Sequence, residues 1–125
     1  MEPTTETVEI ANKLIDFCKK GQNMKAIESL YDTDAVSLEA VSTPDMPAEL
    51  RGLEAIKKKN KDWIDNMELH STLVEGPYPF GDRFAVHYKY DVTDKKSGQR
   101  MRMDEVGVYT VRDNKIVREE FFYSM

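Results

Sequence analysis

The chain has one cysteine in 125 residues, Cys18, so no intrachain disulfide can form. It has two histidines, His70 and His87, and no pair of residues with metal-ligand spacing. No metal and no cofactor are expected. No apolar run approaches the roughly 20 residues of a membrane-spanning helix. Basic residues do not predominate: 18 Lys and Arg stand against 23 Asp and Glu, a formal net charge of −5. That balance argues against nucleic acid or an anionic membrane surface as the main partner, because both need basic footprints. There is no glycine-rich phosphate loop, no Ser-His-Asp order, no internal repeat and no linker. Neither Asn12 nor Asn60 is followed by the Ser or Thr of a glycosylation sequon. Met1–Glu6 is acidic and polar, unlike a signal peptide, and with the lone cysteine this makes the expected setting cytoplasmic. Cys18 lies beside Phe17 on the apolar side of a predicted helix and reads as a small buried hydrophobe.

Hydrophobic residues make up 40% and charged residues 33%, the composition of one globular domain spanning residues 1–125. Val8, Ala11, Leu14, Ile15 and Cys18 recur at helical spacing, which predicts a first helix over about Thr4–Lys20, closed by Gly21. A short second helix carries Ala26, Ile27, Leu30 and Tyr31. Ala35–Val41 reads as a strand. Ser42–Gly52, with Pro44 and Pro47, reads as a loop. A third helix covers about Leu53–Met67, with Ile56, Trp63, Ile64 and Met67 as its apolar side and Lys57, Lys58, Lys59 and Lys61 as a solvated face. Four strands follow as a meander: Leu69–Glu75, Arg83–Thr93, Met101–Arg112 and Lys115–Met125. Gly76–Asp82 interrupts as a turn or edge segment, since its two prolines exclude a central strand. Asp113-Asn114 makes the last two strands a hairpin. Three helices against a strongly curved, mostly antiparallel sheet is an α+β architecture, with the first strand joining the sheet away from its sequence neighbours.

Alternation places Phe84, Val86, Tyr88, Tyr90 and Val92 on one face of their strand. In the next, Met101, Met103, Glu105, Gly107, Tyr109 and Val111 form the more apolar face, with Glu105 set in it. The last strand is apolar on both faces. Val117, Glu119, Phe121, Tyr123 and Met125 form one and Ile116, Arg118, Glu120 and Phe122 the other, so a one-residue slip exchanges Glu119 for Glu120. Val106, Val108, Ile116 and Phe122, ringed by arginines, fall on the outer side and suggest a homodimer surface.

Several features taken in order carry a resemblance: Gly21 before helix two, Asp34-Ala35 leading into strand one, Arg51-Gly-Leu-Glu-Ala-Ile56 opening helix three, and Tyr109-Thr-Val-Arg-Asp-Asn-Lys-Ile-Val117. Over residues 5 to 124 the chain resembles the SnoaL-like branch of the nuclear transport factor 2-like superfamily. The resemblance implies a cone-shaped half-barrel, dimerisation through the outer sheet, and the odd face of the last strand turned inward. It embraces ketosteroid isomerases, polyketide cyclases, dehydratases, epoxide hydrolases and non-enzymatic binding modules. The isomerase base position falls on Glu39, and the oxyanion tyrosine position on Leu14, which cannot donate. The position of the isomerases' protonated aspartic acid falls near Gly107, one inward step from Glu105.

The candidate catalytic residues are therefore Glu39, Glu105 and Tyr123. Trp63, Phe84, Tyr88, Tyr90, Met103, Tyr109, Glu119 and Phe121 are expected to line a pocket for a small apolar or carbonyl-containing ligand. A carboxylate in an apolar cone has a raised pKa and can take a proton next to a carbonyl. That makes a cofactor-free isomerase, cyclase or dehydratase the first expectation. The alternatives are a non-catalytic small-ligand binding module and a dimeric protein-interaction module. Structural pairing of the glutamates with arginines or tyrosines is the competing role for these side chains.

Overall fold

The computed structural model describes residues 1–124. Met125, placed by alternation on the inner face of the last strand, lies outside the described residues.

Helix α1 spans Thr5–Lys19 and starts where the Thr4 side chain accepts a hydrogen bond from the Thr7 backbone N–H. It buries Ile10, Ala11, Leu14, Ile15 and Cys18 along one stripe. Gly21, at φ +70°, supplies the left-handed turn into α2, Asn23–Leu30. Strand β1 follows at once as Tyr31–Leu38, then β2, Glu49–Arg51, and α3, Leu53–Asn66. The meander is β3, Met67–Phe80; β4, Arg83–Asp94; β5, Arg100–Arg112; and β6, Lys115–Phe122.

The six strands form one sheet in the order β2-β1-β6-β5-β4-β3. Among the described residues only β1 and β6 run parallel. The α+β reading holds, and the first strand does join the sheet beside the last one. Asp113 and Asn114, both at positive φ, make the two-residue turn between β5 and β6. The prolines of β3 are tolerated because β3 is an edge strand. The helices pack on the concave side, and Ile56, Phe84, Val86 and Ile116, each at most 1% exposed, sit between the layers. Burying such a side chain is worth about 1.5–3 kcal/mol.

Four expectations are corrected. Tyr31 is not part of helix two: its backbone is already extended and it opens β1, so this strand begins four residues before Ala35 and ends before Glu39. The Ser42–Gly52 loop contains β2, which pairs antiparallel with β1. Ile64 is 47% exposed, on the flank of α3 rather than its buried side. Ile116 is not on the outer face but fully buried. The pairing passes from Thr110↔Arg118 to Val111↔Ile116, so Val117 is an extra residue that reverses the parity at the start of β6. Beyond that bulge Glu119 and Phe121 face inward and Glu120 and Phe122 outward. This resolves the register in favour of Glu119, which is 4% exposed.

Candidate functional site

The inward parity of β1 buries Ala35 and Ser37 and carries on to Glu39, one residue past the strand. β6 runs parallel beside it with Ser37 paired to Glu119, bringing two glutamates from opposite ends of the sequence to the same end of the cone. Across from them α3 presents Lys59. Its side chain, 15% exposed, is not on the solvated face expected from the lysine run. Lys59 lies three residues after Ile56 and four before Trp63, so helical geometry turns it inward while Lys58 and Lys61 pair outside with Asp62 and Asp65.

A continuous network results. The Lys59 ammonium donates to Glu39 Oε1 at 2.9 Å and to Ser37 Oγ at 2.5 Å, and lies 3.5 Å from Glu119 Oε2. Ser37 donates onward to Glu119 Oε2 at 2.6 Å, and the Tyr31 hydroxyl donates to Glu119 Oε1. At the open end the Tyr123 hydroxyl donates to Glu39 Oε2 at 3.0 Å. One ammonium therefore serves two carboxylates, and Lys59 also lies 5.1 Å from the centre of the Phe121 ring. Burial and then the neighbouring Glu119 push the Tyr31 phenol far up, so it remains a donor. Burial and Glu39 push Tyr123 up to about 12.

Glu105 differs from both other glutamates. It stands on β5 opposite Tyr88, half-buried, with no hydrogen bond or ion pair to any described residue. Burial first, then the carboxylates of Glu39 and Glu119, raise its pKa to about 7, against a partial offset from Lys59. The adjacent walls are aromatic. Tyr90 packs on Trp63 with ring centres 5.4 Å apart and on Tyr88 at 5.8 Å. Met103 pairs with Tyr90 across the β4–β5 ladder, and the Tyr109 ring meets Phe121 edge-on.

The expected residues thus divide into two layers. Glu39, Glu105, Tyr123, Trp63, Tyr90, Met103 and Phe121 form a part-exposed layer. Phe84, Tyr88 and Tyr109, at most 3% exposed, form the core beneath it, where the two tyrosine hydroxyls bond each other at 2.6 Å and Phe84 stacks on Tyr109. Glu119 is a buried hub whose oxygens are already occupied. Tyr31, Ser37 and Lys59 were missed by sequence reasoning. The Ile56–Lys59–Trp63 spacing held the signal for Lys59, whereas nothing local marked Ser37. Among the described residues, the Asn60 amide nitrogen is the one buried side-chain polar atom without a partner. No group of three described His, Cys, Asp or Glu residues is arranged to hold a metal. His87 lies on the outer sheet face between Glu75 and Asp104.

Gly107, where the resemblance places the isomerases' acid, has no room for a side chain. A Cβ there would stand 3.0 Å from the Tyr109 ring and hydroxyl and 3.1 Å from Phe121. Gly107→Ala is expected to displace both rings and lower stability by about 1–3 kcal/mol, read as a fall in the urea midpoint. An unchanged midpoint would mean that the rings are free to shift.

Comparison with known proteins agrees with this architecture. No curated protein matches the chain. A candidate SnoaL-like polyketide cyclase from Mesorhizobium loti, also labelled a carbohydrate phosphatase, is 44% identical; the alignment covers 93% of this chain and 97% of that one, with a TM-score of 0.88. A candidate isomerase from Bacillus subtilis is 21% identical over 99% of this chain and 90% of its own, with a TM-score of 0.76. A hypothetical protein from Catenulispora acidiphila with a ketosteroid isomerase-like fold, solved in complex with trimethylamine, is 19% identical over 94% and 86%, with a TM-score of 0.73. The last two likenesses show the fold alone. The model of the SnoaL-like domain matches residues 5–123, and the chain belongs to that family.

Proposed function

We propose that the cone mouth is a small-molecule site that performs acid–base chemistry without a cofactor. In this reading Glu105 takes a proton from carbon next to a carbonyl, as in an isomerase, cyclase or dehydratase. The observation that carries it is the state of Glu105. This carboxylate has no hydrogen-bond or ion-pair partner among the described residues, stands next to Tyr88 and Tyr90, and has a pKa of about 7, so that it both accepts and returns a proton near neutrality. Glu39, expected as the base, is already bonded by Lys59 and Tyr123 and is better placed to hold those donors. Trp63, Tyr90, Met103 and Phe121 are the contact surface for the ligand. The test is solvent-deuterium exchange at the α-carbon of small carbonyl compounds, screened by NMR. Exchange by the native protein and its loss in Glu105→Gln support the reading; equal exchange by the two proteins overturns it.

A second reading, a non-catalytic binding module, is favoured by a different observation: the donors of Lys59 and Tyr123 are all engaged within the protein. Leu14, 3% exposed in the core, supplies none in their place.

A homodimer through the outer sheet face is part of the proposal and is the basis of the protein-interaction alternative. It rests on Val106, Val108 and Phe122, joined by Tyr78 and Phe80, both 59% exposed. Charged residues such as Arg83, Arg118 and Glu120 surround them. Phe122→Glu is expected to weaken self-association at least tenfold in sedimentation velocity. A native protein that sediments as a 14.5 kDa monomer at all concentrations would refute the dimer. No described helix is long and apolar enough to cross a membrane. A cytoplasmic setting is supported by the single, buried and unpaired Cys18.

A further inference from the structure

We infer that the Tyr90 hydroxyl is the donor that receives the ligand's carbonyl oxygen and holds the negative charge that proton transfer to Glu105 creates on it. This rests on the acid–base reading above and adds a second catalytic residue to it.

Three observations carry it. The first is which tyrosine is free. Tyr31 donates to Glu119, Tyr123 donates to Glu39, and the Tyr88 and Tyr109 hydroxyls bond each other. Tyr78 is exposed on the outer sheet face, opposite Ala85. Tyr90 is thus the one inward-facing tyrosine with no hydrogen bond to a described residue. The Asn60 amide nitrogen is the one described side-chain polar atom that is both buried and unbonded, so the unbonded Tyr90 hydroxyl reaches the surface.

The second is its place. Across the β4–β5 ladder Tyr88 stands opposite Glu105 and Tyr90 opposite Met103. Tyr90 and Glu105 are therefore diagonal neighbours on the inner face, about 7–8 Å apart, a gap that aromatic and long side chains span. The α-carbon and the oxygen of a carbonyl compound are joined through a single atom, so the base and the donor that serve them must stand side by side, as these two do. Burial and then the Glu105 carboxylate push the Tyr90 phenol up, so it keeps its proton and remains a donor. The Trp63 indole N–H is also unbonded among the described residues, but Trp63 comes from α3 and no ladder pairing sets it beside Glu105.

The third is how the ring is held. Tyr90 packs on Trp63 with ring centres 5.4 Å apart and stacks on Tyr88 at 5.8 Å, the two tyrosine planes 10° apart. Its ring is packed while its hydroxyl is left over. A donor already in place when charge develops costs no reorganisation at that moment.

The step balances with these two groups. The C–H bond next to the carbonyl breaks and its electron pair forms a C=C bond. The π pair of C=O moves to oxygen, and the proton goes to the Glu105 carboxylate. The negative charge thus passes from Glu105 to the oxygen that accepts from Tyr90. The hydroxyl exchanges a carboxylate neighbour for an oxyanion partner, an interaction gained only as the proton moves. Returning the proton to carbon restores the site, and no oxidant or co-reactant is needed.

The experiment compares cyclohexanone with methylenecyclohexane, which has the same ring and a methylene group in place of the oxygen. Trp63 is the only tryptophan, so its single indole signal in nitrogen-15 NMR reports occupancy beside Tyr90, with thermal shifts followed in parallel for binding that Trp63 does not sense. The native protein should bind the ketone at least fivefold more tightly, roughly the scale of one net hydrogen bond. Tyr90→Phe keeps the ring against Trp63 and Tyr88 and, confirmed folded by circular dichroism, should bind the two compounds about equally. Deuterium exchange at the α-carbon of the ketone should fall by about 10²–10³ in the same variant, the cost of losing one oxyanion donor. Three results would overturn the inference: no preference for the ketone in the native protein, including no binding of either compound; a preference that survives Tyr90→Phe, which would give the oxygen to another donor such as the Trp63 indole; or exchange by the native protein that is undiminished in Tyr90→Phe. Failure of the two readings is distinguishable. A ketone preference lost in Tyr90→Phe, with no exchange by the native protein, sinks the acid–base reading and leaves Tyr90 as the donor to the carbonyl. Exchange lost in Glu105→Gln but undiminished in Tyr90→Phe does the reverse.

Discussion

Replacing Lys59 by methionine is expected to cost about 3 kcal/mol of stability at pH 7, more than any other single change at a lysine of this chain. The magnitude follows from what is left behind. Removing one partner of a buried pair costs about 3–5 kcal/mol because the remaining charge stays buried without compensation. The lower end applies here, since the Glu39 side chain is 23% exposed and water screens it in part. Glu119 cannot escape in the same way: its side chain is 5% exposed and held by Tyr31 and Ser37. Urea denaturation at pH 7 checks the loss. The same substitution at Lys58, whose pair with Asp62 is solvated, should change stability by less than about 1 kcal/mol. A Lys59→Met protein as stable as the native one at pH 7 would mean that the network does not hold the cone together.

Glu105→Gln is expected to act in the opposite direction on stability while lowering the proposed proton-transfer activity. A pKa of about 7 in the folded chain, against the ordinary 4.5, means that the folded state holds a proton between those values that the unfolded state has already released. Stability therefore falls as pH rises from 4.5 to about 7 and is level above, by an amount on the order of 2–3 kcal/mol. Glutamine carries no charge to bury. The variant should match the native protein at pH 4 and exceed it by roughly 2 kcal/mol at pH 8. Proton-transfer activity should drop by a factor of about 10² to 10⁴, the range for losing a general base. Stability gained together with activity lost is the signature of a group retained for chemistry. A variant that is destabilised at pH 8, or that keeps full activity, would assign Glu105 a structural role.

The parts of the fold that follow from periodicity were legible in the residues. The stripe of α1, the Asp113-Asn114 turn and the inner face of β5 with Glu105 in it all follow from local pattern. The convergence of Glu39 and Tyr123 came from element order and resemblance, and they bond directly. What was not legible has three physical causes. Lys59 sits in a run of lysines whose composition suggests solvent, while its helical angle beside Trp63 brings it inside; composition and geometry conflict, and geometry wins. Tyr31 satisfies a helix stripe and a strand start equally well, so only tertiary packing against Glu119 decides. Ile116 and Glu119 face the same way because of a bulge at Val117, and a strand apolar on both faces carries no mark of one. Ser37 is a small polar residue whose importance comes entirely from its neighbours Lys59 and Glu119, residues distant in sequence.

These causes share a consequence for the site. The group proposed as its base was visible because a carboxylate stood out on an apolar strand, but the network that determines which glutamate is free was not. Glu39 and Glu119 are engaged by Lys59, Ser37, Tyr31 and Tyr123, and that engagement singles out Glu105. The measurement that bears most directly on this is the carbon-13 NMR titration of the glutamate side-chain carboxyls, with Glu105 assigned by its loss in Glu105→Gln. A midpoint of about 7 is expected for Glu105. A midpoint at the ordinary ~4.3 of an exposed glutamate would contradict it.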